Sequence, residues 1–124
     1  MDGDVRLGDA YVLEENGVVV GTVAVSFAGE PAYMDLTGGA WLSDGPYAVV
    51  HRMALADSHK GRGLSAFFLK EIEALCVVRN VPSIKVDTHP RNMIMQALLT
   101  RSGYAPCGTV IFQGSGKLAY EKLL

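Results

Sequence analysis

Tyr47 to Ala56 constrain the fold of this chain more than any other stretch. The run Tyr-Ala-Val-Val-His-Arg-Met-Ala-Leu-Ala is apolar at nearly every position, as expected of a central strand covered on both faces. It leads into Asp57-Ser-His-Lys-Gly-Arg-Gly63. An amphipathic stretch from about Leu64 to Arg79 follows, where Leu64, Phe67, Phe68, Ile72, Leu75 and Cys76 recur at helical spacing. Asn80-Val-Pro82 ends that helix, because proline cannot continue it and disfavours helical geometry in the residue before it.

Around this strand-loop-helix unit the remaining elements read as a mixed sheet. Ala10 to Glu15 and Val18 to Phe27 form a hairpin through Asn16-Gly17, a pair suited to a tight primed turn. Ser83 to Asp87 is a short strand. Asn92 caps a helix running to about Ser102, with Met95, Leu98 and Leu99 inward, and Gly103 stops it. Ala105 to Phe112 and Lys117 to Leu123 close the sheet through a Gln-Gly-Ser-Gly turn. Ala28 to Gly45, rich in Gly, Pro, Asp and Ser, reads as a long connection that could lie over a site, with Trp41 anchoring it to the core. The class is α/β (α+β) around one mixed sheet, and 124 residues suffice for a single domain over 1–124.

Net charge is -2 and the pI about 5.8, so no broad positive field exists for nucleic acid phosphates or an anionic membrane. Cys76 and Cys107 lack metal-ligand or CxxC spacing and read as buried free thiols. The start Met-Asp-Gly-Asp-Val-Arg has no signal-peptide pattern, which leads us to expect a soluble, reducing, cytoplasmic setting.

The stretch Ser58-His-Lys-Gly-Arg-Gly-Leu-Ser65 concentrates the chemistry. Unpaired N–H groups and the dipole at a helix N-terminus favour an anion, glycines allow close approach of a pyrophosphate, and Lys60 and Arg62 add positive charge. The spacing is neither a GxGxxG fingerprint nor a P-loop, whose lysine would follow its second glycine. Taken alone, the loop reads equally well as a glycine-rich surface turn.

Val50-His-Arg-Met-Ala-Leu followed by Gly61-Arg-Gly63-Leu resembles the strand-loop-helix acetyl-CoA motif of the GNAT superfamily of N-acetyltransferases. Val86-Asp-Thr-His-Pro-Arg-Asn92, with a helix ending at Gly103-Tyr104, resembles that family's second motif. The resemblance implies a mostly antiparallel sheet whose two central strands splay apart, with flanking helices. It implies main-chain contacts to the pantetheine arm of acetyl-CoA from Met53, Ala54 and Leu55. The pyrophosphate would lie on His59, Lys60, Gly61, Arg62, Gly63, Leu64 and Ser65, with Asn92 near the pantetheine, and no metal is needed. Three features depart from the family pattern. Ser58 replaces a long polar residue, Leu99 stands where a thiolate-protonating tyrosine is common, and the usual N-terminal strand and helices are not read before Ala10. The last point leaves a trimmed form, a more open groove, or a groove completed by a partner or a second copy.

A thioester is attacked by a neutral amine, so a base is useful. Asp87, at the end of the strand lining the gap, is the first candidate, and some family members carry a carboxylate base there. Its alternative is a turn acceptor for Thr88-His89-Pro90. His51 is expected on the same face as Met53 by period-two alternation, either as a base or as a hydrogen-bonded core residue. His89 is a third candidate, titrating near neutrality or orienting its loop. The expected activity is N-acetyl transfer to a small-molecule or peptide amine. A coenzyme A-binding module without turnover, or an incomplete subunit, is the alternative. Polyamines, aminoglycosides, amino acids and protein N-termini all remain open as acceptors.

Overall fold

Seven strands form one sheet in a computed structural model that describes residues 3–7, 10–55 and 63–124, side chains at 3–7, 10, 52 and 55 excepted. In chain order they are β1 (Gly3–Leu7), β2 (Ala10–Glu15), β3 (Val18–Ser26), β4 (Ala48–Leu55), β5 (Ser83–Thr88), β6 (Ala105–Phe112) and β7 (Ser115–Leu123). Helix α1 (Leu64–Val78) joins β4 to β5, and α2 (Met93–Arg101) joins β5 to β6. The spatial order is β1-β2-β3-β4-β5-β7-β6. Only β4 and β5 run parallel, the pair whose connection is long enough to hold a crossover helix.

Turn chemistry sets both hairpins. Asn16 and Gly17 take positive φ (53° and 79°), as do Gln113 and Gly114 (53° and 76°), the pattern of a primed two-residue turn. The second turn is therefore shorter than the four-residue Gln-Gly-Ser-Gly expected from sequence, and Phe112 pairs with Ser115. Strand β1, which the sequence reading leaves without an element, pairs antiparallel along β2 from Gly3↔Glu14 to Leu7↔Ala10.

Each sheet face carries its own core. Under the helices, Leu13, Val23, Val50, Phe68, Leu69, Ile72, Ile84, Leu98 and Leu99 pack together. The helical spacing expected for α1 is what delivers Leu64, Phe68, Ile72 and Cys76 to this face. Asn92 caps α2 as expected, its side chain accepting from Met95 N at 3.0 Å. Tyr104 N closes the helix on Leu99 O at 2.9 Å beyond Gly103, whose φ is 91°. Tyr104 Oη then donates to Glu73 on α1 at 3.1 Å, and Lys122 pairs with the same carboxylate at 3.0 Å. Cys76 and Cys107 are free and buried, and burial raises the Cys76 thiol to about 11.

The opposite face is covered by the long connection between β3 and β4. It contains a short 3-10 turn, Pro31–Asp35, which puts Tyr33 into a second core with Val49, Val110 and Ala119. Trp41 serves as the expected anchor, its Nε1–H donating to Tyr33 O at 2.7 Å. Thr37 and Thr109 exchange backbone hydrogen bonds of 2.9 and 2.8 Å, which draws Gly39 against the Cys107 carbonyl. A Cβ on Gly39 would overlap that carbonyl. Gly39→Ala should therefore cost about 1–3 kcal/mol, read as a lowered urea midpoint; an unchanged midpoint would mean that the segment relaxes freely. None of the described helices is long and apolar enough to cross a membrane.

Candidate active site

The parallel strands β4 and β5 pair only through Ala48↔Ile84, Val49↔Lys85 and Val50↔Val86. Beyond Val50 they have no ladder in common, although β4 continues to Leu55 beside β3 and β5 continues to Thr88 beside β7. The sheet thus opens as a wedge at the C-terminal end of both strands, and main-chain groups of Met53, Ala54 and Leu55 on the β5 side have no strand partner among the described residues. These are the positions at which the resemblance implies contacts to an extended ligand.

A bulge shapes the β4 side of the wedge. Thr22 pairs with Ala54 and Ala24 with His51, so a step of two on β3 faces a step of three on β4. The alternation expected to put His51 and Met53 on one face is broken there. Met53 packs against the core under the helices, whereas His51 stacks on Phe112 of β6 with ring centroids 6.0 Å apart.

Two clefts meet at this wedge. On the helix side, a cleft of about 220 Å³ is bounded by His51, Met53, Leu69, Asp87, His89, Asn92, Met95 and Leu99. On the other side, a cleft of about 390 Å³ is bounded by Glu30, His51, Asp87, Phe112, Gln113 and Lys117. Val50, His51, Asp87 and Lys117 line both, so the wedge connects the two faces of the sheet. All three residues expected to do acid-base work border the helix-side cleft, and His51 and Asp87 border both.

The site residues are held differently. Asp87 Oδ1 accepts from Tyr33 Oη at 2.5 Å, which replaces the turn-acceptor role considered from sequence. Tyr33 is only 2% exposed, and burial together with the neighbouring Asp87 charge drives its phenol far above the ordinary range, so it remains a donor. His89 is exposed, and its Nδ1 accepts from Arg91 N at 3.0 Å. That bond orients the loop and leaves Nε2 as the protonated nitrogen. Leu99 is fully buried in the wall of the helix-side cleft, where it offers no proton.

At the start of α1, Gly63 has φ 75°, the left-handed region glycine enters without strain, and it provides no side-chain cap. Phe67 N reaches back to Gly63 O at 3.1 Å, so the first bonded N–H of the helix comes after the N–H groups of Leu64, Ser65 and Ala66. Helix-terminal donors are thus available to an anion at this end. His59, Lys60, Gly61 and Arg62, expected to complete that loop, lie outside the described residues. Among the described residues no group of three or more His, Cys, Asp and Glu is placed to hold a metal ion.

Tyr33, Glu30 and Lys117 were not singled out from sequence. Tyr33 stands 54 residues from Asp87, and nothing local marks it as a partner.

Comparison with known proteins agrees with this geometry. The model of the acetyltransferase (GNAT) family matches residues 4–104. An acetyltransferase of the GNAT family from Streptococcus agalactiae is 36% identical, with a TM-score of 0.82 over 94% of this chain and 66% of its own. A GNAT acetyltransferase from Listeria monocytogenes has 23% identity and a TM-score of 0.73, over 95% of this chain and 66% of its own. An aminoglycoside acetyltransferase in complex with coenzyme A has 20% identity and a TM-score of 0.68, over 92% and 65% of the two chains. The chain thus spans just under two thirds of the length of these structures. No curated protein matches it.

Proposed function

The chain belongs to the acetyltransferase (GNAT) family, and on that premise we propose that it transfers an acetyl group from acetyl-CoA to a primary amine by direct attack in a ternary complex. The wedge between β4 and β5 carries this reading, because it offers unpaired main-chain groups on one side and connects two clefts on opposite faces. Met53, Ala54 and Leu55 would hold the pantetheine arm, and the loop from His59 through Ser65 would hold the pyrophosphate. Asn92 borders the same cleft; its Oδ1 already caps α2, so its amide N–H groups are the part left to face a ligand. The acceptor would enter from the cleft beneath Glu30 and Phe112.

In this arrangement the amine nitrogen attacks the thioester carbonyl carbon, a C–N bond forms and the C–S bond breaks. Asp87 takes the proton from the amine, its carboxylate steadied by Tyr33. The departing thiolate takes a proton from solvent, since Leu99 has none to give. His51 borders both clefts and lies where it can contact either substrate.

The completely apolar Leu99 favours a second reading, a module that retains coenzyme A but turns over slowly. A calorimetric titration with acetyl-CoA, alongside acetyl-pantetheine, tests the shared premise. Micromolar-range affinity that requires the nucleotide is the expected result. A folded chain that binds neither compound would overturn both readings, while tight binding without thiol release in the presence of amines would leave only the second.

A further inference from the structure

The acceptor-side cleft carries a charge pattern more specific than an amine alone requires. Ala119 pairs with Asp87 across β5 and β7, and Lys117 lies two residues from Ala119 on the same face. Lys117 is therefore a diagonal neighbour of Asp87, about 7–8 Å away between Cα atoms, a separation that a four-carbon stem spans. Half-buried in this cleft, Lys117 has no hydrogen-bond or ion-pair partner among the described residues. Gln113 stands with it on the rim at the β6–β7 turn.

The two carboxylates of the cleft are each half engaged. Asp87 Oδ1 accepts from Tyr33, and Glu30 Oε1 accepts from Ala32 N at 3.2 Å, which leaves one oxygen on each. The cleft thus offers acceptors for an amine at Asp87 and Glu30, and a cation with an amide at Lys117 and Gln113. Phe112, stacked on His51, adds an apolar wall to the same cleft. One cation and two carboxylates share this partly desolvated space, so a ligand of a single charge sign leaves groups of one kind unmatched. A molecule bearing both an amine and a carboxylate satisfies both ends.

Resting on the transferase reading above, we propose that the acceptor is an α-amino acid, its nitrogen at Asp87 and its carboxylate on Lys117 and Gln113. The test compares thiol release with the standard L-amino acids, with the decarboxylated amine of each one that turns over, and with spermidine. Wild type and Lys117→Met, which keeps the apolar stem, are run in parallel, and acetyl-CoA binding is measured separately by calorimetry. The expected result is a kcat/KM for an amino acid about 10- to 100-fold above that of its decarboxylated amine, with most of the preference lost in Lys117→Met. Three results overturn the proposal: spermidine or the simple amines as the better acceptors, a preference that survives Lys117→Met, or no amino acid acetylated by a protein that binds acetyl-CoA. Failure to bind acetyl-CoA overturns instead the reading on which it rests.

Discussion

Asp87→Asn should lower kcat by about 10²- to 10⁴-fold while acetyl-CoA affinity changes little. The substitution is nearly isosteric, and the asparagine Oδ1 can still accept from Tyr33 Oη, so the wall of the cleft keeps its shape. What disappears is the capacity to take a proton from the attacking amine. The pyrophosphate would rest on the main chain at the start of α1, which the substitution leaves unchanged. The informative companion is Tyr33→Phe, which retains the carboxylate and the packing of the second core but removes the donor that steadies it. It should lower kcat less, by up to about 10²-fold. Single-turnover rates and coenzyme affinity, measured on both variants, distinguish base from scaffold. A flat rate in Asp87→Asn would reduce the carboxylate to an acceptor for Tyr33 and would move the base to His51.

What the sequence made visible follows from the range over which each signal acts. The apolar run Tyr47–Ala56, the glycines before α1, the cap at Asn92 and the stop at Gly103 are local signals, and each names its own element. They name the elements that flank the wedge, while the wedge itself was implied only by the family resemblance. The bulge in β4 is different in kind, because it exists only in the register against β3, where Thr22↔Ala54 and Ala24↔His51 disagree by one residue. No composition within β4 announces it, and it is what separates His51 from Met53. Strand β1 was equally hidden: Val5 and Leu7 stand among Gly, Asp and Arg, too short a pattern to count until it pairs with β2. Tyr33 lies in a segment with no periodicity, and its meaning comes from contact with a strand far along the chain. The site is therefore legible where one element builds it and silent where the connection over the sheet builds it.

Glu121 shows the same principle in a residue whose loss should be the most damaging to stability. In the sequence it is one more charge in Lys-Leu-Ala-Tyr-Glu-Lys, yet it is 0% exposed. Its Oε1 accepts from Leu42 N at 2.7 Å, and its Oε2 accepts from Ser43 Oγ at 2.7 Å and Ser83 Oγ at 2.5 Å. Lys85, its register partner on β5, places its ammonium 4.4 Å from the Trp41 ring and 4.1 Å from the Tyr47 ring. Burial pulls the Lys85 pKa down and the Glu121 charge pulls it back up, so the carboxylate helps keep this cation charged beneath the loop. Glu121→Ala would deprive one amide and two hydroxyls of their acceptor and take from Lys85 the larger of its countercharges, leaving Asp44. The expected loss is about 3–5 kcal/mol, a large share of the roughly 5–15 kcal/mol that holds a domain together. Because Leu42 and Ser43 belong to the connection that presents Tyr33 to Asp87, turnover should fall in any fraction that remains folded. Urea unfolding of Glu121→Ala and Glu121→Gln checks this, with the glutamine variant expected to lose less because it fills the space and keeps one acceptor oxygen. Equal and small losses in both would show that the connection is held by Tyr33, Trp41 and the Thr37–Thr109 bridge alone, and that the buried carboxylate contributes little to its anchoring.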